Sequence, residues 1–130
     1  MLATAPLIPM LPVRDLESAR RFYEDRLGLP LIEDLSSSEV YVYRCGEGTL
    51  LGMYQRAAPS TADHTLAAWL VPDLEATVRR MMDQGIVFEQ YDMPGLRTNS
   101  LGIAETKHEW AAWFKDPDGN ILAVVQLRNA

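Results

Sequence analysis

Apolar positions along this chain fall into two alternating rhythms. After Asp15, the residues Leu16, Ala19, Tyr23 and Leu27 share one helical stripe, and after Asp73 the residues Leu74, Val78 and Met81 do the same. Each stretch opens on an aspartate able to accept orphan amides of a first turn and closes near a glycine, Gly28 or Gly85. Helices are therefore predicted from Asp15 to Leu27 and from Asp73 to Gln84. Around them run short apolar segments of strand character, at about 7–13, 29–34, 39–45 and 49–55, then 65–71, 86–92, 109–115 and 120–127. Pro9 and Pro12 mark the first as an edge strand, because proline donates nothing to a ladder. The predicted order is β-α-β-β-β, twice, with the linker-like residues 56–64 between the copies.

The residues themselves repeat. Val13-Arg14-Asp15-Leu16-Glu17-Ser18 returns 58 positions later as Val71-Pro72-Asp73-Leu74-Glu75-Ala76, and Arg21 is echoed by Arg79. Gly48-Thr49-Leu50-Leu51-Gly52-Met53-Tyr54-Gln55 returns at the larger offset of 71 as Gly119-Asn120-Ile121-Leu122-Ala123-Val124-Val125-Gln126, so the second copy carries the longer loop. A site between such halves would draw on equivalent positions of both.

The duplicated plan, the paired Asp-Leu-Glu helix starts and the segment Phe114-Lys115-Asp116-Pro117-Asp118-Gly119-Asn120-Ile121-Leu122 together resemble the glyoxalase, bleomycin-resistance and extradiol-dioxygenase proteins, the vicinal oxygen chelate superfamily. Asp-Pro-Asp-Gly alone is ordinary turn chemistry; its combination with the repeat carries the resemblance, over about residues 7–127. The resemblance implies an α+β fold in which two tandem β-α-β-β-β modules form a cup-shaped mixed sheet with helices outside. Residues 1–130 are accordingly expected to form one domain, made of module 1 (about 5–56) and module 2 (about 64–128).

Enzymes of this family bind one divalent metal through the first and last strands of each module. Carried onto this chain, those positions are Ile8, Gly52, Leu66 and Ala123. None offers the imidazole or carboxylate such a metal needs. No cofactor is expected, and the cup floor reads as apolar: Ile8, Met10, Gly52, Leu66, Ala68, Ile121, Ala123 and Val125, with Trp113 beside them. The same residues would also serve to fill a collapsed core. Trp113 depends on register, since a four-residue loop after Lys115 pairs Ala123 with Ala112 and a five-residue connection pairs it with Trp113. Trp69, Trp110, Tyr41, Tyr43 and Tyr54 are further aromatics near the expected cup. A relocated divalent metal on His64, His108 and Glu105 is the alternative. Glu105 and His108 are also the candidate acid-base groups of an enzyme, in a loop over about 93–107 long enough to act as a lid.

Composition narrows the classes. A net charge of -6 leaves no basic stripe for nucleic acid or an anionic membrane. The lone Cys45 forms no internal disulfide and holds no zinc by itself. No apolar run approaches the ~20 residues of a bilayer span, and the start lacks a signal-peptide pattern, so a cytoplasmic protein is expected, pairing as a homodimer as the family commonly does. The expected function is metal-independent binding of a small apolar or aromatic molecule, with a lyase, isomerase or dioxygenase as the alternative.

Overall fold

The computed structural model describes residues 1–128 and has a mixed α+β fold that divides into two compact units, the first ending at Thr61 and the second beginning at Ala62. In the first unit, β1 (Met10–Val13), α1 (Leu16–Arg20), β2 (Val40–Arg44) and β3 (Leu50–Gln55) build a three-stranded sheet in the order β1-β3-β2. β1 runs parallel to β3 and β2 antiparallel to it, so the proline-bearing strand lies at the end of the three. Asp15 Oδ1 accepts the Glu17 amide at 3.0 Å and starts the helix. Beyond Arg20 the helix continues through Arg21–Arg26 with wider, π-type turns, Leu27 N–H donating to the Phe22 carbonyl. It stops at Gly28, whose φ of +72° only glycine adopts freely. Tyr23, on the buried stripe, stacks on Tyr43 of β2, which fixes the face of the sheet that the helix covers.

The second unit repeats this arrangement and adds to it. It contains β4 (Thr65–Leu70), α2 (Leu74–Asp83), β5 (Asp92–Met93), β6 (Leu96–Arg97), β7 (Ile103–Glu105), β8 (Glu109–Lys115) and β9 (Ile121–Leu127). Four strands form a sheet in the order β4-β9-β8-β7, and β5 and β6 form a separate hairpin. Asp73 caps α2 through the Ala76 amide at 3.1 Å, and the Leu74 amide donates to Gln126 Oε1 of β9, so α2 lies on the face of Gln126. Phe114, on that face too, is fully buried between Trp69 and Phe88.

Three expected elements differ. The strand at 29–34 shrinks to one rung, Leu31 with Tyr43: Pro30 has no amide to donate, and residues 33–35 turn the chain away. The strand at 86–92 likewise keeps only the rung of Phe88 with Phe114, because the hairpin turning at Pro94-Gly95 pulls the chain off the sheet. The loop over 93–107 is not an open lid. It supplies β6 and then β7, which pairs with β8 and continues the edge that Phe88 begins. No helix among the described residues is long and apolar enough to cross a membrane.

Candidate functional site

Two different sequence offsets, 58 for the first strands and 71 for the last, converge on one structural row in each unit. In the first unit Gly52 pairs with Met10 on one side and Val42 on the other. In the second, Ala123 pairs with Ala68 and Trp113. Directly paired residues point to the same face of a sheet and their neighbours to the other. Tyr43 and Phe114 face the helices, so each row occupies its sheet's helix-free face. Of the sequence's candidate aromatics only Trp113 and Tyr54 share that face; Tyr41, Tyr43, Trp69 and Trp110 fall on the helix-bearing side.

The pairing of Trp113 with Ala123 resolves the register in favour of a five-residue connection, 116–120. Asp116 builds that turn. It is 5% exposed, its Oδ1 accepts the amides of Asp118 and Asn120 at 2.9 Å each, and its Oδ2 accepts from Asn120 Nδ2 at 2.8 Å. The buried carboxylate thus holds the hairpin that sets where Trp113 points.

Trp113 packs against the buried Ala111, Ala123 and Val125, and its indole N–H donates to Thr65 Oγ1 at 3.1 Å. The Tyr91 ring meets it edge-on, centroids 5.7 Å apart. Burial, with the Glu89 charge second, raises the Tyr91 phenol above its ordinary value, so it stays a neutral hydroxyl. Glu89 is itself 3.4 Å from Lys115 Nζ. Thr65 was missed from sequence because strict alternation puts it on the opposite face from Ala68. A bulge between Thr65 and Ala67 breaks the alternation: Thr65 pairs with Ile121 and Ala68 with Ala123, residues of one face. Leu66 becomes the extra residue of the bulge, so its expected place in line with Ala68 is corrected.

In the first unit, Ile8 and Met10 are 39% and 44% exposed. The Met10 thioether lies over Gly52, where a Cβ would collide with Met10 Sδ and come within 3.5 Å of Ile8 Cγ2. Met10 thus occupies the volume that a side chain at position 52 would take. A depression of about 440 Å³ also lies in this unit, lined by Arg14, Glu39, Gln55, Arg56 and Ala57. It is polar and includes none of the predicted site residues. Its Gln55 side chain is engaged with the Arg14 carbonyl.

The ionisable candidates do not assemble. Glu105 pairs with Trp110 across β7 and β8, hence on the helix-bearing face, and its carboxylate is 3.2 Å from the Arg128 guanidinium, which in turn covers the Trp110 ring. His108 is exposed in the turn between those strands, its carbonyl taking the Arg128 amide. His64 is exposed just ahead of β4, its Nδ1 3.3 Å from the Thr65 carbonyl. Among the described residues no three His, Cys, Asp or Glu side chains gather as a metal site, which corrects the alternative built from His64, His108 and Glu105. The side chains of Ile8, Gly52, Leu66 and Ala123 carry no nitrogen or oxygen donor, so the side-chain donor set at those positions does not fit a divalent metal.

Solved structures share the fold. A glyoxalase family protein from Bacillus anthracis is 17% identical, with 96% of each chain covered and a TM-score of 0.72. An antibiotic binding protein from a Streptomyces species is 21% identical over 98% of this chain and 99% of its own, with a TM-score of 0.66. A lactoylglutathione lyase from Agrobacterium tumefaciens is 20% identical over 95% and 93%, also with a TM-score of 0.66. No curated protein matches the sequence significantly. The family profile matches residues 7–124, nearly the whole of both repeats, and the chain belongs to the Glyoxalase/Bleomycin resistance protein/Dioxygenase superfamily.

Proposed function

We propose that this protein binds a small apolar or aromatic molecule without a metal, and that the ligand lies on the helix-free face of the second unit against Trp113. The observation that carries this reading is the row Ala68-Ala123-Trp113: two methyl-sized side chains beside an indole held by its bond to Thr65. Small neighbours leave ring surface for a planar partner, and stacking on an aromatic ring adds about 0.5–1.5 kcal/mol beyond the area buried. Ile121 lies on this face beside Thr65, and Ile8, Met10 and Gly52 give the first unit an apolar face of its own. The Streptomyces protein, an antibiotic binding protein by name, shows that a relative with this fold binds a small molecule. Glu105, on the helix-bearing face and paired with Arg128, favours the binding reading over an enzyme that uses Glu105 and His108.

Equilibrium dialysis against a panel of planar aromatic compounds tests the proposal, beside mass-spectrometric metal content after exposure to Zn, Ni, Mn and Fe(II). Micromolar binding with far less than one metal per chain is the expected result. One tightly held metal per chain would overturn the metal-free reading. The homodimer and the cytoplasmic location belong to the same proposal; light scattering on the purified protein and fractionation of the source cells check them.

A further inference from the structure

We propose that the Thr65 hydroxyl is a specificity-determining donor, selecting planar ligands that carry a carbonyl-type acceptor at the ring edge. The inference rests on the reading of the Trp113 face given above, and deepens it by naming the ligand chemistry.

A hydroxyl has one proton to give and two lone pairs to fill. Thr65 Oγ1 uses a lone pair on the indole N–H of Trp113, at 3.1 Å. Among the described residues no acceptor takes its proton. An accepted hydrogen bond also polarises a hydroxyl and strengthens it as a donor. Thr65 is exposed at the start of β4, and its branched Cβ restricts the hydroxyl to few rotamers.

The position of this donor follows from the backbone. The bulge at Leu66 turns Thr65 onto the face of Ile121, Ala123 and Trp113, the kind of re-aiming that bulges produce next to binding sites. Because Oγ1 sits at the nitrogen edge of the indole, it meets the perimeter of a ring laid over Trp113. Of the charged groups on this face, Lys115 and Glu89 are engaged with each other, and Glu109, farther along β8, adds a carboxylate that disfavours an anion. A neutral acceptor such as a ketone oxygen therefore matches the face better than a formal anion. In the first repeat neither Leu7, at the offset of 58, nor Ile8, one residue on where the strand has no bulge, carries a hydroxyl, so the donor belongs to the second unit alone.

The test compares two probes that differ only in their ring substituent, 2-acetylnaphthalene with its carbonyl and 2-ethylnaphthalene without it, by equilibrium dialysis against the full chain. The wild type is expected to bind the ketone about fivefold more tightly, the value of one neutral hydrogen bond. Thr65→Val is expected to abolish that preference, the two probes then binding alike, and Thr65→Ser to retain it. Equal binding of both probes by the wild type would overturn the inference, as would a preference that persists in Thr65→Val. An equal loss of both probes in Thr65→Val would make Thr65 a positioning residue for Trp113 instead, and also overturns it. If neither probe binds the wild type, the Trp113-face reading itself falls and takes this inference with it. Circular dichroism of each variant confirms that the substitutions leave the fold intact.

Discussion

The two units share a backbone row but distribute its volume differently. In the first, the large residue is Met10 on the first strand, lying over a glycine at position 52. In the second, the first strand contributes only Ala68, and the large residue is Trp113 on the hairpin strand, beside Ala123. On the opposite faces the correspondence is closer: Tyr43 and Phe114 occupy equivalent positions and both are fully buried. The duplication has thus kept the register and the helix-side packing while exchanging side-chain size on the helix-free faces. Packing against a helix constrains volume tightly, and a face without that neighbour leaves it free to change.

The constrained side gives the largest expected effect. Phe114→Ala removes a ring held between Trp69 and Phe88, and should cost about 3–5 kcal/mol in denaturant unfolding. A loss below about 1 kcal/mol would mean that the aromatic cluster collapses to fill the space, and the contrast between faces would not hold. Trp113→Ala addresses the other face. It should weaken binding of a planar aromatic ligand about tenfold in equilibrium dialysis, with a smaller change in stability than Phe114→Ala because the indole is only half-buried. Unchanged affinity in this variant would remove Trp113 from the site.

Tyr43 shows how the first unit treats the position that Phe114 holds in the second. Its hydroxyl donates to Glu24 Oε2 at 2.9 Å, and the same carboxylate is 2.9 Å from Arg20, whose guanidinium lies over Tyr41. Burial, and next the bond to Glu24, push the Tyr43 phenol well above its ordinary value of 10.0. Because the folded value lies above the unfolded one, the stabilisation is complete below about pH 10. It is lost as pH rises further toward the folded value, by at most about 1.4 kcal/mol per pH unit. Tyr43→Phe should cost about 1 kcal/mol at neutral pH and flatten the alkaline fall in stability. A variant whose alkaline profile matched the wild type would show that Tyr43 does not supply that slope.

The same contrast explains what could be read from the chain. Helix caps at Asp15 and Asp73, stops at Gly28 and Gly85, and the strands after each hairpin follow from local chemistry, and the structure shows them near the expected positions. The paired offsets already implied that Gly52 and Ala123 are equivalent. Thr65 could not be found this way, because a bulge is one unpaired residue and leaves the apolar pattern Leu66-Ala67-Ala68 looking regular. The placement of Glu105 was hidden for a related reason: a three-residue strand inside a polar segment carries too few positions to show a period, yet its pairing with Trp110 decides which way the carboxylate points.

The smallest expected effect bears directly on the exchange of volume between the rows. A Cβ at position 52 meets Met10 Sδ and Cε, both at the far end of a flexible and half-exposed side chain, with no backbone in the way. Gly52→Ala should therefore cost only about 1 kcal/mol, the low end of overpacking. With Met10 already shortened in Met10→Ala, the collision disappears and the lower entropy of alanine in the unfolded chain remains, so the same Gly52→Ala change should stabilise by about 0.5 kcal/mol. The reversal of sign, measured as a double-mutant cycle in urea, is the signature of two residues competing for one volume. If Gly52→Ala has the same effect in both backgrounds, Met10 is not what fills the space, and the first unit's row is open in the same sense as the second's.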